Sequence, residues 1–171
     1  YSSPHSYNNR FGVPLSLSNL KSNIDYGVFE IGMDKKGEIG SLSKIVKPEI
    51  AIITNISGAH FKNFNTLKDI AKAKAEIINN ISKDGNIILN KDSKFFSLLS
   101  NKAKKNGINI TSFSLKKKSD IFLLGIKKIK KCFRLKINIR NKIFFFDTKY
   151  TTDNFINNIL ACISTMFALN L

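Results

Sequence analysis

The 171-residue chain has few acidic residues, few cysteines and no long apolar run. Its two cysteines lie far apart and show no metal-ligand spacing, which argues against a disulfide scaffold. Cys132 and Cys162 are therefore expected to be buried free thiols in a reducing compartment. No apolar segment approaches the roughly 18 residues that predict a membrane-spanning helix. The first residues, YSSPHSYNNRFG, lack the basic-then-apolar order of a signal peptide.

The shortage of acids leaves a net charge of +16, from 28 lysines and arginines against 12 acidic residues. This excess raises a nucleic-acid-binding hypothesis. The lysines are spread along the chain, however, and the dense clusters are LKKKSD (115–120) and IKKIKK (126–131). A solvated surface is the favoured interpretation, and a basic nucleic-acid-binding domain stays open as a rival from another functional class.

Apolar segments alternate with helical patterns over residues 1–115, and the hydrophobic content of 43% is enough for a real core. The strands are apolar on both faces, which is typical of a parallel sheet covered by helices on both sides. Thr66 is the predicted N-cap of one helix and Gly107 ends another. The sequence predicts strands over 25–33, 49–56, 85–90 and 108–115, and helices over 37–46, 66–82 and 93–107.

The pattern changes after residue 116. The segment CFRLKINIR (132–140) alternates strictly between apolar and polar residues, which predicts a half-buried antiparallel strand. KIFFFDTKY follows after two residues and predicts a hairpin, with DIFLLGIKK beside it. We therefore expect a mostly parallel α/β part over 1–115, a small antiparallel sheet over 116–150 and a closing helix over 151–171, capped by Thr152 or Asp153.

Polar residues at predicted strand ends indicate where a ligand would bind, because open α/β sheets bind ligands beyond the carboxyl ends of their strands. Glu30 lies in the first predicted strand, and the second ends near Asn55 and leads to His60. A carboxylate and an imidazole at neighbouring strand ends could hold a divalent ion such as Mg²⁺, which keeps waters and phosphates as further ligands. Glu30 could instead simply emerge from the sheet edge, and His60 could be a structural histidine.

Lys74 falls within the apolar stripe of the helix predicted over 66–82, between Ile70 and Ile77. Burial would lower its pKa and expose a neutral amine, which can react with carbon dioxide to give a carbamate. A lysine whose stem is buried while its ammonium reaches water is the open alternative. Lys72 and Glu76 are expected on the opposite, solvent-facing side.

These motifs, in this order, resemble the central ATP-binding domain of the Mur ligases: EIGM with GEI, TNI followed by AH, AKAE, and DNFINN. The resemblance implies a P-loop NTPase-like fold, ATP and Mg²⁺ as cofactors, and a cytoplasmic role in peptidoglycan synthesis. It also implies metal contacts from Glu30 and His60, catalytic roles for His60 and a carbamylated Lys74, nucleotide contacts from Asn154, Asn55 and Asn157, and substrate contacts from Asn8 and Asn9.

Within the family, the similarity is greatest to members that join D-alanyl-D-alanine to UDP-N-acetylmuramoyl-tripeptide through an acyl phosphate. The family's glycine-rich phosphate-binding loop would lie before Tyr1, and Asp153 stands where the family usually has His. We therefore expect a monomeric central domain, truncated at both ends, lacking the N- and C-terminal domains and inactive alone. Another Mur ligase, a folylpolyglutamate synthase-like ligase and a scaffold without catalysis stay open as alternatives.

Overall fold

A computed structural model describes residues 1–57 and 63–171 of the protein, which fold into a mixed sheet flanked by helices. The described residues give a six-stranded sheet in the order β1-β2-β3-β4-β5-β6. Its strands are β1 (Ile50–Ile53), β2 (Asn86–Asn90), β3 (Asn109–Ser114), β4 (Ile121–Ile129), β5 (Cys132–Ile139) and β6 (Lys142–Thr148). The helices are α1 (Gly12–Ser18), α2 (Glu38–Val46), α3 (Leu67–Lys74) with a 3₁₀ helix directly after it (Ala75–Asn80), α4 (Phe96–Lys105) and α5 (Asp153–Ala168). The predicted fold class is thereby confirmed.

The first three strands pair in parallel, and the middle one, β2, is buried on both faces. Side chains alternate between the faces along a strand. In β2, Ile87 and Leu89 therefore enter the core formed with α2, α3 and α4, whereas Ile88 enters the core formed with α5. All three side chains are fully buried. This double burial explains why the sequence shows continuous apolar runs here.

The predicted antiparallel strands continue the same sheet. Strand β4 pairs in parallel with β3, through Phe113 with Ile121 and Ser114 with Phe122. Strands β4, β5 and β6 then pair antiparallel. Helix α5 joins the two halves, because its Ile156 shares a core with residues of both the parallel and the antiparallel strands.

Strand β6 lies at the edge of the sheet and carries four consecutive apolar residues that are largely exposed. The exposed fractions are 51% for Ile143, 48% for Phe144, 63% for Phe145 and 49% for Phe146.

Two predicted helix caps are confirmed. The Thr66 hydroxyl accepts a hydrogen bond from the Asp69 backbone N–H at 3.1 Å, and the Asp69 carboxylate accepts one from the Thr66 N–H at 3.1 Å. This reciprocal pair is a capping box, which fixes the start of the helix that carries Lys74. Thr152 caps α5 by accepting from the Phe155 N–H.

The predicted strand over 25–33 is wrong. Within the described residues, this segment makes one isolated bridge, between Val28 and Ser2, and Val28 is 64% exposed. An apolar segment becomes a strand only when a neighbouring segment supplies a ladder of hydrogen bonds. At this bridge the Ser3 N–H donates to the Val28 carbonyl and the Val28 N–H donates to the Tyr1 carbonyl, both at 2.9 Å, and the described parts of the chain add no further bridge to it.

Both cysteines are free, as predicted, but Cys162 is exposed rather than buried. In the described part of the chain, no helix has the length and apolar character needed to cross a bilayer.

Candidate active site

A large cleft of about 1020 Å³ brings together four of the residues predicted from the sequence. Its walls come from the segment before α1, the loop that leads into α2, the start of α2 and the end of α3. Asn8, Asn9, Glu30 and Lys74 all line it, although they come from three separate segments.

Glu30 is held in this cleft by Asn8. The Asn8 side-chain Nδ2 donates a hydrogen bond of 2.7 Å to Glu30 Oε1. The Asn8 backbone carbonyl accepts from the Gly32 N–H at 2.7 Å, so one asparagine orders both the carboxylate and the loop after it. A carboxylate has about four acceptor sites, and this single hydrogen bond leaves capacity for a cation. The sequence assigned Asn8 to substrate, and that role stays a prediction.

Asn9 holds the start of α1. Its side-chain Oδ1 accepts hydrogen bonds from the backbone N–H groups of Phe11 at 3.0 Å and Gly12 at 2.9 Å. Helix N-termini leave such donors unsatisfied, and an asparagine oxygen is a good acceptor for them. This contact gives Asn9 a structural task, and its assignment to substrate also stays a prediction.

Lys74 lies at the end of α3 and is half-buried, next to the fully buried Ala73. Burial lowers the pKa of its ammonium group, because desolvation penalises the charged form. The negative charge of Glu30 acts in the opposite direction and raises that pKa, so the two groups interact across the cleft. Lys74 is thus partly buried and lies in the same cleft as Glu30, whereas its carbamylation stays a prediction.

Glu38 organises the loop that forms one wall of the cleft. Its Oε2 accepts backbone N–H bonds from Asp34 at 2.6 Å and Lys35 at 3.0 Å. These two bonds lower the pKa of the Glu38 carboxyl, because they stabilise the charged form. The glutamate of the GEI motif, Glu38, thus ties this loop to the first turn of α2, the helix that follows the loop.

Glu76 was expected to face water, and that expectation is wrong. Its carboxylate accepts backbone N–H bonds from Gly37 at 2.9 Å and from Gly40 at 3.0 Å, at the start of α2. Helical spacing around Glu76 could not reveal these partners, because they lie in another helix 36 to 39 positions away. The sequence feature that could have indicated these partners is the pair of glycines, Gly37 and Gly40. Gly37 adopts a left-handed conformation with φ of 92°, which favours glycine.

A second, smaller cavity of about 300 Å³ is lined by asparagines. It contains the three residues predicted to contact nucleotide, together with two neighbours: Thr54, Asn55, Asn154, Asn157 and Asn158. Buried Asn90 lies beneath it, and its Nδ2 donates to Asn157 Oδ1 at 3.4 Å. Side-chain amides offer both donors and acceptors, which suits the edge of a heterocyclic base. We call this site the asparagine cavity.

His60 lies outside the described residues, so neither its metal role nor its catalytic role is tested. Among residues 1–57 and 63–171, no three His, Cys, Asp or Glu side chains cluster as a ready metal cage. Mg²⁺ is usually bound through one or two carboxylates, with waters and phosphates as the other ligands. Glu30, ordered by Asn8 and open to the cleft, fits that sparse requirement.

Known proteins share both the sequence pattern and the fold of this chain. A curated relative from Rickettsia prowazekii, named UDP-N-acetylmuramoyl-tripeptide–D-alanyl-D-alanine ligase, is 34% identical over 159 residues, covering 92% of this chain and 35% of the relative. A crystal structure of MurF from Acinetobacter baumannii superposes with a TM-score of 0.90 at 28% identity, covering 99% of this chain and 37% of that one. MurF from Thermotoga maritima, solved with ADP, shares the fold with a TM-score of 0.88 at 23% identity.

The chain spans about a third of the length of these proteins. The family described as Mur ligase middle domain matches residues 2–166, nearly the whole chain. The superposition on MurF from Acinetobacter baumannii covers 99% of the chain, so the shared fold includes the parallel strands, the antiparallel extension and the closing helix. The chain therefore belongs to the Mur ligase middle domain family.

Proposed function

We propose that this chain is the ATP-binding part of a ligase that joins D-alanyl-D-alanine to UDP-N-acetylmuramoyl-tripeptide in peptidoglycan synthesis. The observation that carries the proposal is the meeting of Glu30 and Lys74 in one cleft, where the charge of Glu30 acts on the Lys74 amine. The relative from Rickettsia prowazekii, which bears that ligase name, supports this choice of substrates. The proposed setting is the cytoplasm, where the product would serve cell-wall growth and division.

The proposed reaction has two steps. The terminal carboxylate of the tripeptide attacks the γ-phosphorus of ATP, which forms an acyl phosphate and releases ADP. The amine of D-alanyl-D-alanine then attacks the acyl carbon, and a tetrahedral intermediate expels phosphate as the amide bond forms. In the first step two anions must approach each other, so positive charge near the phosphates is the main requirement.

Glu30 would hold Mg²⁺, with Asn8 fixing the orientation of the carboxylate. The bound ion would supply positive charge that offsets the phosphate oxygens. Lys74, with its pKa lowered by burial, would form a carbamate with carbon dioxide and so present an anion beside Glu30. The asparagine cavity would receive adenine, through the side chains of Asn55, Asn154 and Asn157.

The test uses the full-length protein that contains this chain. Sustained release of ADP over many turnovers should depend on both UDP-N-acetylmuramoyl-tripeptide and D-alanyl-D-alanine, since the second substrate is needed to consume the acyl phosphate. Glu30→Gln keeps the size of the side chain but removes its charge, and should lower the rate on the order of a hundredfold, equivalent to about 3 kcal/mol of transition-state stabilisation. Asp25→Asn is the matched control, because Asp25 is exposed and does not line the cleft.

Two results would count against the proposal: ADP release that ignores the tripeptide, or a Glu30→Gln enzyme as fast as the wild type. We further propose that the 171 residues alone do not turn over ATP, because they contain no G-x-x-G-K-[ST] sequence to bind the β- and γ-phosphates. Sustained turnover by the isolated chain would contradict this second proposal.

A further inference from the structure

Glu76 connects the element that carries Lys74 to the opposite wall of the large cleft. It lies in the 3₁₀ helix that continues directly from α3, two positions after Lys74. Its Oε1 accepts from the Gly37 N–H at 2.9 Å, and its Oε2 accepts from the Gly40 N–H at 3.0 Å. Charge-assisted hydrogen bonds of this kind are stronger than neutral ones, and the helix dipole of α2 adds to them.

The fit between these elements is close. A Cβ added at Gly40 would lie 3.4 Å from Glu76 Oε2 and 3.6 Å from Glu76 Cβ, which is ordinary van der Waals contact, so the Glu76 side chain packs directly against this turn of α2. Gly37, the other donor, is the left-handed residue at which the cleft loop turns into α2. Gly37 and Glu38 both line the cleft, as does Lys74.

A second contact joins the same two elements further along α2. The Asn80 side chain donates to the Gly40 carbonyl at 3.0 Å and to the Ser43 hydroxyl at 2.8 Å. Asn80 therefore anchors the body of α2, whereas Glu76 anchors its first turn and the loop before it. The two contacts can be removed separately.

We propose that Glu76 is a positioning residue, which fixes the cleft loop 34–37 relative to Lys74 and Glu30. This inference rests on the proposed ligase function and adds to it a residue outside the cleft lining. Glu76 would affect turnover by holding the loop in place, because its carboxylate already accepts hydrogen bonds from the Gly37 and Gly40 N–H groups. Misplacement of a reacting geometry by about 1 Å can cost on the order of a hundredfold in rate.

The test compares Glu76→Ala with the control Asn80→Ala. The control removes the hydrogen bonds from Asn80 to α2 but keeps those between Glu76 and the first turn of α2. In the full-length protein that contains this chain, Glu76→Ala should accelerate amide hydrogen exchange over 34–40, and Asn80→Ala should not accelerate it over 34–37. In the full-length protein, Glu76→Ala should lower kcat on the order of a hundredfold, at a temperature where both variants are folded. Glu76→Gln should recover part of the loss, because its one carbonyl oxygen can still accept a hydrogen bond from Gly40.

Unchanged exchange over 34–40 in Glu76→Ala would overturn the positioning role. So would a loss of kcat no greater than that of Asn80→Ala, since a merely structural contact would give both variants the same effect. If the wild-type protein shows no tripeptide-dependent turnover, the proposed ligase function fails, and the exchange comparison then decides by itself whether Glu76 holds the loop.

Discussion

Replacement of Gly12 by alanine sets two physical effects against each other. Gly12 is the first residue of α1, where alanine should favour the helix by about 0.5–1 kcal/mol. It is also buried, and an added Cβ would lie 2.6 Å from both the backbone carbonyl carbon and the Cα of Tyr7. Carbon atoms pack at about 3.5–4.0 Å, so one segment must move by about 1 Å.

The clash should win. Its partner is backbone, which cannot rotate away as a flexible side chain would, and overpacking of this kind typically costs about 1–3 kcal/mol. We expect Gly12→Ala to lower the free energy of unfolding by about 1–2 kcal/mol after the helix preference is subtracted.

The same shift should reach the cleft, because Tyr7 directly precedes Asn8. Moving Asn8 by about 1 Å would stretch its 2.7 Å hydrogen bond to Glu30 past about 3.6 Å, where it ceases to be a hydrogen bond. We therefore expect the full-length Gly12→Ala protein to lose the proposed ligase activity as well as stability, although no polar side chain has been altered.

Urea denaturation measures the first effect, and ADP release measures the second. Gly125→Ala is the matched control, since a Cβ there would meet nothing within 4 Å. The control should unfold at the same urea concentration as wild type or higher. A Gly12→Ala protein with wild-type stability and wild-type activity would refute the reasoning.

Three further predictions concern the elements around the cleft. Thr66→Ala should lower the free energy of unfolding by about 1 kcal/mol in urea, because it removes one half of a capping box, and Thr66→Ser should restore most of it; equal stability of the three proteins would contradict this. Because burial lowers the pKa of Lys74, the unfolded chain binds more protons than the folded chain between that lowered pKa and the ordinary value of 10.5. The stability advantage of Lys74→Met over wild type should therefore shrink as the pH rises through that window, and a constant difference would show that Lys74 is solvated. Gly85→Ala should destabilise the protein by about 1–3 kcal/mol, because its Cβ would lie 2.5 Å from the Glu49 carbonyl oxygen; an unchanged thermal midpoint would exclude that contact.

Features fixed by neighbouring residues could be predicted from the sequence. Thr66 and Asp69 are three positions apart, and the capping box needs nothing else. The partial burial of Lys74 follows from its place in the stripe that begins at Ile70, because side chains three and four positions apart share a helix face. The strands β1 and β2 were recognisable from their apolar runs for the same local reason.

Features fixed by distant partners could not be predicted in this way. The segment 25–33 has the composition of a strand, yet composition does not reveal whether another strand lies beside it. Glu76 is polar and was assigned to the solvent side, because its partners Gly37 and Gly40 belong to a different helix. The contact between Asn8 and Glu30 is of the same kind, since the sequence placed both near the site but gave them separate tasks.

The exposed edge strand β6 has a consequence for how the protein behaves in concentrated solution. Among residues 1–57 and 63–171, no strand pairs with the outer edge of β6, and this edge with its phenylalanines, Phe144 to Phe146, forms a surface to which another β-strand could add. At low ionic strength the net charge of +16 keeps copies of the chain apart. The range of that repulsion shrinks from about 30 Å at 0.01 M salt to about 3 Å at 1 M, so added salt should promote self-association through β6 instead of suppressing it.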